Sequence, residues 1–168
     1  AYLCNIPGII LAKMYDKYQS RLLEGNVRSF LQTKGKVNKG IRKTILTEPE
    51  MFFAYNNGIA ATAEELTIDD TPHGPVIREF RSLQIVNGGQ TTASLANAWV
   101  NDVRHQSREQ IVKISVPMKI SVVNYESAQE LVPNISRYAN SQNKVSDADL
   151  ASNHPFHIKV EELSRRIV

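Results

Sequence analysis

The sequence has little cysteine, few aromatic residues and no long apolar run. Cys4 is the only cysteine among 168 residues, which excludes an internal disulfide and a cysteine-rich metal site. No apolar run approaches the roughly 20 residues that cross a bilayer, and the first residues lack the charged-then-apolar order of a signal peptide. These absences predict a cytoplasmic protein with no membrane partner.

Length and composition predict one domain. A chain of 168 residues with 42% hydrophobic composition can bury on the order of 70% of its unfolded surface. The first residues already have a strand pattern and residues 160–168 have the pattern of an unfinished helix. We therefore expect residues 1–168 to be a fragment of a longer polypeptide, whose other segments are expected partners.

Charge is unevenly distributed along the chain. The net charge is only +3, but five basic residues between Lys34 and Lys43 have no acid among them. This cluster is typical of a loop that binds phosphate and precedes a helix, although a solvated loop without a ligand is the simpler interpretation. The acids Glu64, Glu65, Asp69 and Asp70 are interpreted as an exposed strand edge and turn. No metal site is predicted.

The most informative segment is an apolar strand that runs through two glycines into a hydroxyl-rich helix. The candidate ligand-binding turn comprises Asn87, Gly88, Gly89, Gln90, Thr91 and Thr92. Glycine allows close backbone approach, and the first helical turn presents unpaired N–H groups that favour phosphate. The turn lacks the third glycine of G-x-G-x-x-G and the lysine of the P-loop. A plain connection in which a threonine or Gln90 caps the helix explains the same residues.

A second cluster, residues 136–146, is rich in amides. Its amide side chains could read a base edge or a sugar, while its basic side chains meet phosphate. The alternative is a helix C-terminus capped by an asparagine, with basic residues complementing the helix dipole. The candidate contact residues outside the turn are Arg28, Asn56, Asn57, Arg137, Asn140, Gln142, Asn143 and Lys144.

The hydrophobic pattern predicts an α/β or α+β domain with a mixed sheet of about four to five strands flanked by helices. Strands are expected at 2–6, 59–68, 76–86 and 111–123, and helices at 10–22, 41–55 with a break at Pro49, a segment ending near Trp99, and one capped by Ser127. A hairpin turn is expected at 71–75. The predicted core residues are Ile85, Val86, Leu95, Ile114, Val116, Ile120, Ile135 and Leu150.

Four sequence blocks occur in an order that resembles the AIPR family, the abortive-infection phage-resistance proteins of bacteria. They are NVRSFL at 26–31, FAYNNGI at 53–59, QIVNGGQTT at 84–92 and ANSQNKV at 139–145. The resemblance implies that residues 1–168 are an AIPR-type domain that helps to stop phage propagation by disabling the infected cell. It implies no catalytic residue set.

The order of strand, glycine turn, helix and a later amide-rich helix end is also similar to ParB/sulfiredoxin-like and DGQHR domains. Some of those bind nucleoside triphosphates, so this resemblance implies such a ligand, with Mg²⁺, and a ParB/sulfiredoxin-like fold. Thr91 and Thr92 replace the His-Arg pair of the DGQHR turn. Either Arg28, Arg137 or the basic segment supplies the missing phosphate donor, or nucleotide binding has been lost.

Three classes of function follow from these residues. The first is a nucleotide- or nucleic-acid-binding domain in which the glycine turn and the amide cluster converge on one pocket, with Gly89 and Asn143 on the same side. The second is a metal-dependent nuclease or phosphohydrolase, although the acids are scattered rather than clustered as such chemistry requires. The third is a protein-interaction scaffold whose glycines only shape the core.

Overall fold

The computed structural model describes residues 1–24, 36–101 and 106–141. Its strands are β1 Tyr2–Pro7, β2 Ile59–Ala63, β3 Glu65–Thr71, β4 Gly74–Arg81, β5 Gln84–Asn87 and β6 Ser115–Val122. Its α-helices are α1 Gly8–Tyr18, α2 Lys36–Thr47, α3 Phe52–Tyr55, α4 Gly89–Val100, α5 Gln106–Ile111 and α6 Tyr125–Asn140. Short 3₁₀ turns cover Gln19–Leu22 and Pro49–Met51.

The main sheet is mixed and has four strands in the order β1-β6-β2-β5. β1 and β6 are antiparallel, β6 and β2 are parallel, and β2 and β5 are antiparallel. β3 and β4 form a separate antiparallel hairpin, with the predicted turn between them. The expected mixed α/β class is therefore confirmed.

Strand residues alternate between two faces of this sheet. One face, called here the inner face, packs its apolar side chains against α1, α2, α4 and α5. These helices contribute Leu11, Ile45, Leu95 and Ile111 to the core. α6 lies on the opposite, outer face, where it contacts β5. Across the described residues, no helix combines the length and apolarity needed to cross a bilayer.

The core prediction is largely confirmed. The buried members are Ile85, Val86, Leu95, Ile114, Val116 and Ile120. Ile135 is only half-buried, because α6 covers the outer face as a surface helix rather than entering the core. Leu150 lies outside the described residues.

The predicted long strands at 59–68 and 76–86 are wrong, because each is two strands in different sheets. The chain leaves the main sheet at Glu64, whose N–H donates to the carbonyl of Arg81 at 2.9 Å. It returns through Ser82, which has a left-handed φ of 54° that interrupts the extended backbone. Within the hairpin, Arg78 pairs with Asp69 at 2.6 Å. Glu65, Asp69 and Asp70 lie on β3, whereas Glu64 is half-buried at the bend before it.

Two further boundaries differ from expectation. Residues 111–114 are not strand: Ile111 ends α5, and its carbonyl accepts a hydrogen bond from the N–H of Ile114 at 3.1 Å. Pro49 does interrupt the helical segment as predicted, but α2 begins at Lys36 rather than near residue 41. Residues 36–43 of the basic segment are therefore helix rather than loop.

The cap of α6 is Asn124 rather than Ser127. The Asn124 side-chain oxygen accepts the N–H of Ser127 at 3.1 Å. Ser127 is thus the third residue inside the helix, and its backbone rather than its hydroxyl takes part in capping. The error arose because both residues suit an N-cap and lie three positions apart.

We expect Asn124→Ala to lower the free energy of unfolding by about 1 kcal/mol, because one first-turn N–H of α6 loses its acceptor. Ser127→Ala is the matched control and should leave stability nearly unchanged. Urea denaturation followed by circular dichroism measures both. A larger loss in Ser127→Ala would show that the hydroxyl, not Asn124, caps the helix.

Candidate functional site

α4 begins at a glycine with a left-handed backbone. Gly88 has φ 91° and ψ 17°. A Cβ placed there would lie 2.4 Å from Cγ2 of Ile59 and 3.0 Å from the carbonyl oxygen of Gly58. Only glycine fits this position, for both conformational and steric reasons.

The first turn of α4 has no side-chain cap within the described part of the chain. Thr92 is fully buried, and both its hydroxyl and its N–H donate to the carbonyl of Gly88, at 3.1 and 3.0 Å. Thr91 is also buried, whereas Gln90 is half-buried. Among the described contacts, neither threonine accepts a hydrogen bond from the first-turn N–H groups, which carry the positive end of the helix dipole.

The Asn56-Asn57-Gly58 turn packs directly against this glycine turn. Gly58 has φ 75°, and a Cβ there would lie 2.4 Å from the carbonyl oxygen of Pro117. The Asn56 side chain donates to the carbonyl of Phe52 at 3.0 Å and so ends α3. Asn57 is exposed. Of the two asparagines, Asn57 is therefore the one with its side chain open to solvent.

β5 contains a β-bulge, and the bulged residue is hydrogen-bonded to the end of α6. Ala60 pairs with Asn87 and Ala61 pairs with Ile85, so Val86 is an extra residue in β5. Its carbonyl leaves the ladder, as the extra residue of a bulge does. The Asn140 side chain donates to this carbonyl at 2.7 Å.

Ser136 and Asn87 complete the junction between α6 and β5. The fully buried Ser136 hydroxyl lies 2.9 Å from a carboxylate oxygen of Glu24 and 3.4 Å from the Val86 carbonyl. The Asn87 side chain donates to the carbonyl of Ala139 at 2.5 Å. These bonds join the end of α6 to the strand that leads into the glycine turn. The Asn140 side chain also donates to the Ser136 carbonyl at 2.7 Å, in agreement with the capping interpretation, whereas convergence on one pocket stays a prediction.

The remaining predicted residues are not joined to the turn by any described contact. Arg137 is exposed, and its guanidinium lies 5.0 Å from the ring centre of Tyr138 and 3.3 Å from its hydroxyl. Arg28, Gln142, Asn143 and Lys144 lie outside the described residues, so the expected proximity of Gly89 and Asn143 stays a prediction.

Asn57 lines an open cleft of about 430 Å³ on the outer face of the sheet, called here the outer cleft. Its other chemically distinctive lining residues are Asn5, Phe53 and Lys119. Cys4 also borders it, but burial raises the pKa of this thiol and its sulfur lies 3.6 Å from the Met118 carbonyl. Burial therefore favours the neutral thiol of Cys4 over the nucleophilic thiolate.

The sequence reasoning missed Glu24, Phe53 and Lys119, and it placed Ser136 in the amide cluster without giving it a role. Glu24 and Ser136 carry no local signal, because their bond joins residues 112 positions apart. Phe53 lies inside one of the four blocks, beside Asn56 and Asn57, and could have been considered for that reason. Within the described residues, no group of three or more His, Cys, Asp or Glu side chains could hold a metal ion.

Comparison with known proteins agrees with the sequence resemblance. The family model described as AIPR protein matches residues 23–167, a range that contains all four sequence blocks. No curated protein and no solved structure matches the chain significantly.

We expect Gly88→Ala to destabilise the fold by about 2 to 4 kcal/mol, from left-handed strain plus overpacking against Ile59. Gly74→Ala is the control: Gly74 has φ 104°, but nothing lies within 4 Å of an added Cβ. It should cost only about 1 kcal/mol. Urea denaturation compares the two, and equal losses would contradict the proposed contact between Gly88 and the Gly58 segment.

We expect Asn140→Ala to cost about 1 to 3 kcal/mol, because the Val86 carbonyl keeps only the longer bond to Ser136. Asn134→Ala removes an amide from the same helix whose described bond is to the nearby Glu130 carbonyl at 3.0 Å. That control should be close to neutral. Similar thermal unfolding of both variants would show that Asn140 does not anchor α6.

Proposed function

The chain belongs to the AIPR family, and on that premise we propose that its glycine turn binds the phosphate groups of a nucleotide or nucleic acid. Family membership suggests a part in abortive infection, a form of phage defence. Phosphate recognition by the domain would connect that defence to nucleotides or nucleic acids in the infected cell. The proposal concerns residues 87–92 and the side chains around them.

The observation that carries the proposal is the uncapped first turn of α4 beside a junction of amide side chains. The turn presents N–H groups and the positive end of the helix dipole, a combination that binds phosphate in many proteins. Because position 88 is a glycine, no side chain covers the backbone at this point; a Cβ there would collide with Ile59. Asn87 and Asn140 hold the surrounding backbone in place.

Of the two alternatives, the metal-dependent nuclease or phosphohydrolase has no favouring observation among the described residues. The scaffold alternative has some support, because the amides of Asn87 and Asn140 already serve internal bonds. α1 also begins without a side-chain cap, so what favours phosphate binding is the position of the α4 start at the glycine turn, beside the bonds of Asn87 and Asn140. We therefore retain phosphate binding as the function that the geometry supports best.

The test uses Gln90→Glu, which places a negative charge in the first turn of α4 with almost no change in size. The charge should stabilise the helix slightly, by about 0.3 to 1 kcal/mol, while repelling a bound phosphate. Thermal-shift and calorimetric titrations with ATP, GTP, CTP, UTP, inorganic tripolyphosphate and short RNA and DNA measure binding. At a hundredfold excess over the Kd, a ligand adds about 2.7 kcal/mol to stability.

We expect at least one of these polyanions to bind the unaltered chain and to bind Gln90→Glu at least about tenfold more weakly. Asn97→Asp is the control, since it adds the same charge to an exposed position further along α4. It should keep most of the affinity. Equal weakening by both variants would point to general charge repulsion, and no binding by the unaltered chain would favour the scaffold alternative.

A further inference from the structure

The outer cleft is an open concavity of small-molecule size, and Phe53 and Asn57 of the block at 53–59 line part of it. Its volume of about 430 Å³ falls within the usual range for ligand pockets. Leu3 and Phe53, two of its apolar lining residues, are 85% and 50% exposed. Exposed large apolar side chains gathered in one concave place, rather than scattered singly, indicate a binding surface.

The polar groups of the outer cleft suit a flat aromatic ring with hydrogen-bonding edges. Phe53 offers a half-exposed ring face, on which a nucleobase can stack. Asn5 and Asn57 are exposed amides, which can donate to and accept from a base edge. Lys119 is the one basic residue lining the cleft, and it is exposed.

Strand register places the outer cleft next to the glycine turn. Leu3 pairs with Lys119, Lys119 with Ala60, and Ala60 with Asn87, so these four residues form one row across the sheet. Neighbouring strands lie about 4.8 Å apart, which separates the backbones of Lys119 and Asn87 by about 10 Å. Ala60, which stands between them, has a small side chain and is half-buried.

We propose that the outer cleft holds the base of a nucleotide whose phosphates extend toward the glycine turn. Phe53 stacks on the base, Asn5 and Asn57 bond its edge, and Lys119 pairs with the phosphate chain. The phosphate part rests on the proposed function above, whereas the base part stands on the cleft alone. The ligand class is therefore a nucleotide rather than an inorganic polyphosphate.

The experiment compares tripolyphosphate with ATP, GTP, CTP and UTP by isothermal titration calorimetry. At least one nucleotide should bind about tenfold or more tightly than tripolyphosphate, the gain expected from base stacking. Phe53→Ala should remove that gain and leave tripolyphosphate affinity unchanged, while Phe53→Trp should keep it. The matched control is Tyr55→Ala, an exposed aromatic on the same short helix that does not line the cleft.

The outcomes separate this proposal from the preceding one. Equal affinities for tripolyphosphate and all four nucleotides would overturn the base site and leave the phosphate turn standing. Nucleotide binding that depends on Phe53 without any tripolyphosphate binding would support the base site and count against the phosphate turn. Loss of the gain in Tyr55→Ala as much as in Phe53→Ala would overturn the stacking role. No binding of any probe would overturn both proposals.

Discussion

Gly58 and Gly88 both have a left-handed backbone, and they meet where β2 begins and β5 ends. The arrangement around the candidate site depends on that contact. A Cβ at position 88 would lie 3.0 Å from the carbonyl oxygen of Gly58 and would collide with Cγ2 of Ile59, so a side chain does not fit there. Close approach brings the start of β2 against the start of α4. It also places Asn57 near the uncapped N-terminus of α4.

The bulge at Val86 has the complementary role of attaching α6 to the outer face. A carbonyl that leaves a sheet ladder must find another donor, since an unpaired buried acceptor costs about 1 to 3 kcal/mol. Asn140 supplies the donor, and Ser136 links the same place to Glu24. The helix that carries the amide cluster is thereby held on β5, and the glycine turn follows directly after the bulge.

Phosphate binding at the glycine turn and base binding in the outer cleft depend on different interactions. Phosphate binding relies on backbone N–H groups and a helix dipole, so it needs no basic residue in the turn. Base binding relies on an aromatic face and amide edges in the outer cleft. In the sheet register, Ala60 lies between Lys119 of the outer cleft and Asn87 of the glycine turn. A nucleotide is the ligand class that would use both.

Local features were predicted well from the sequence, whereas the sheet memberships were not. The glycine turns, the hairpin at 71–75, the break at Pro49 and the buried strand residues follow from backbone chemistry and short-range pattern. The division of two predicted strands at Glu64 and Ser82 does not, because an extended residue has the same pattern in either sheet. Choosing Asn124 over Ser127 as a cap likewise depended on backbone geometry that both residues permit.

By itself, the sequence determined the four blocks that mark the family and the glycines that make the turns possible, since both are properties of neighbouring residues. Only the tertiary structure decided that Gly58 lies against Gly88, that Asn140 bonds Val86 across 54 positions, and that Phe53 and Lys119 share a cleft. Such contacts join segments far apart in the chain through strand order and a bulge. Neither strand order nor a bulge leaves a local signal in the residues that it connects.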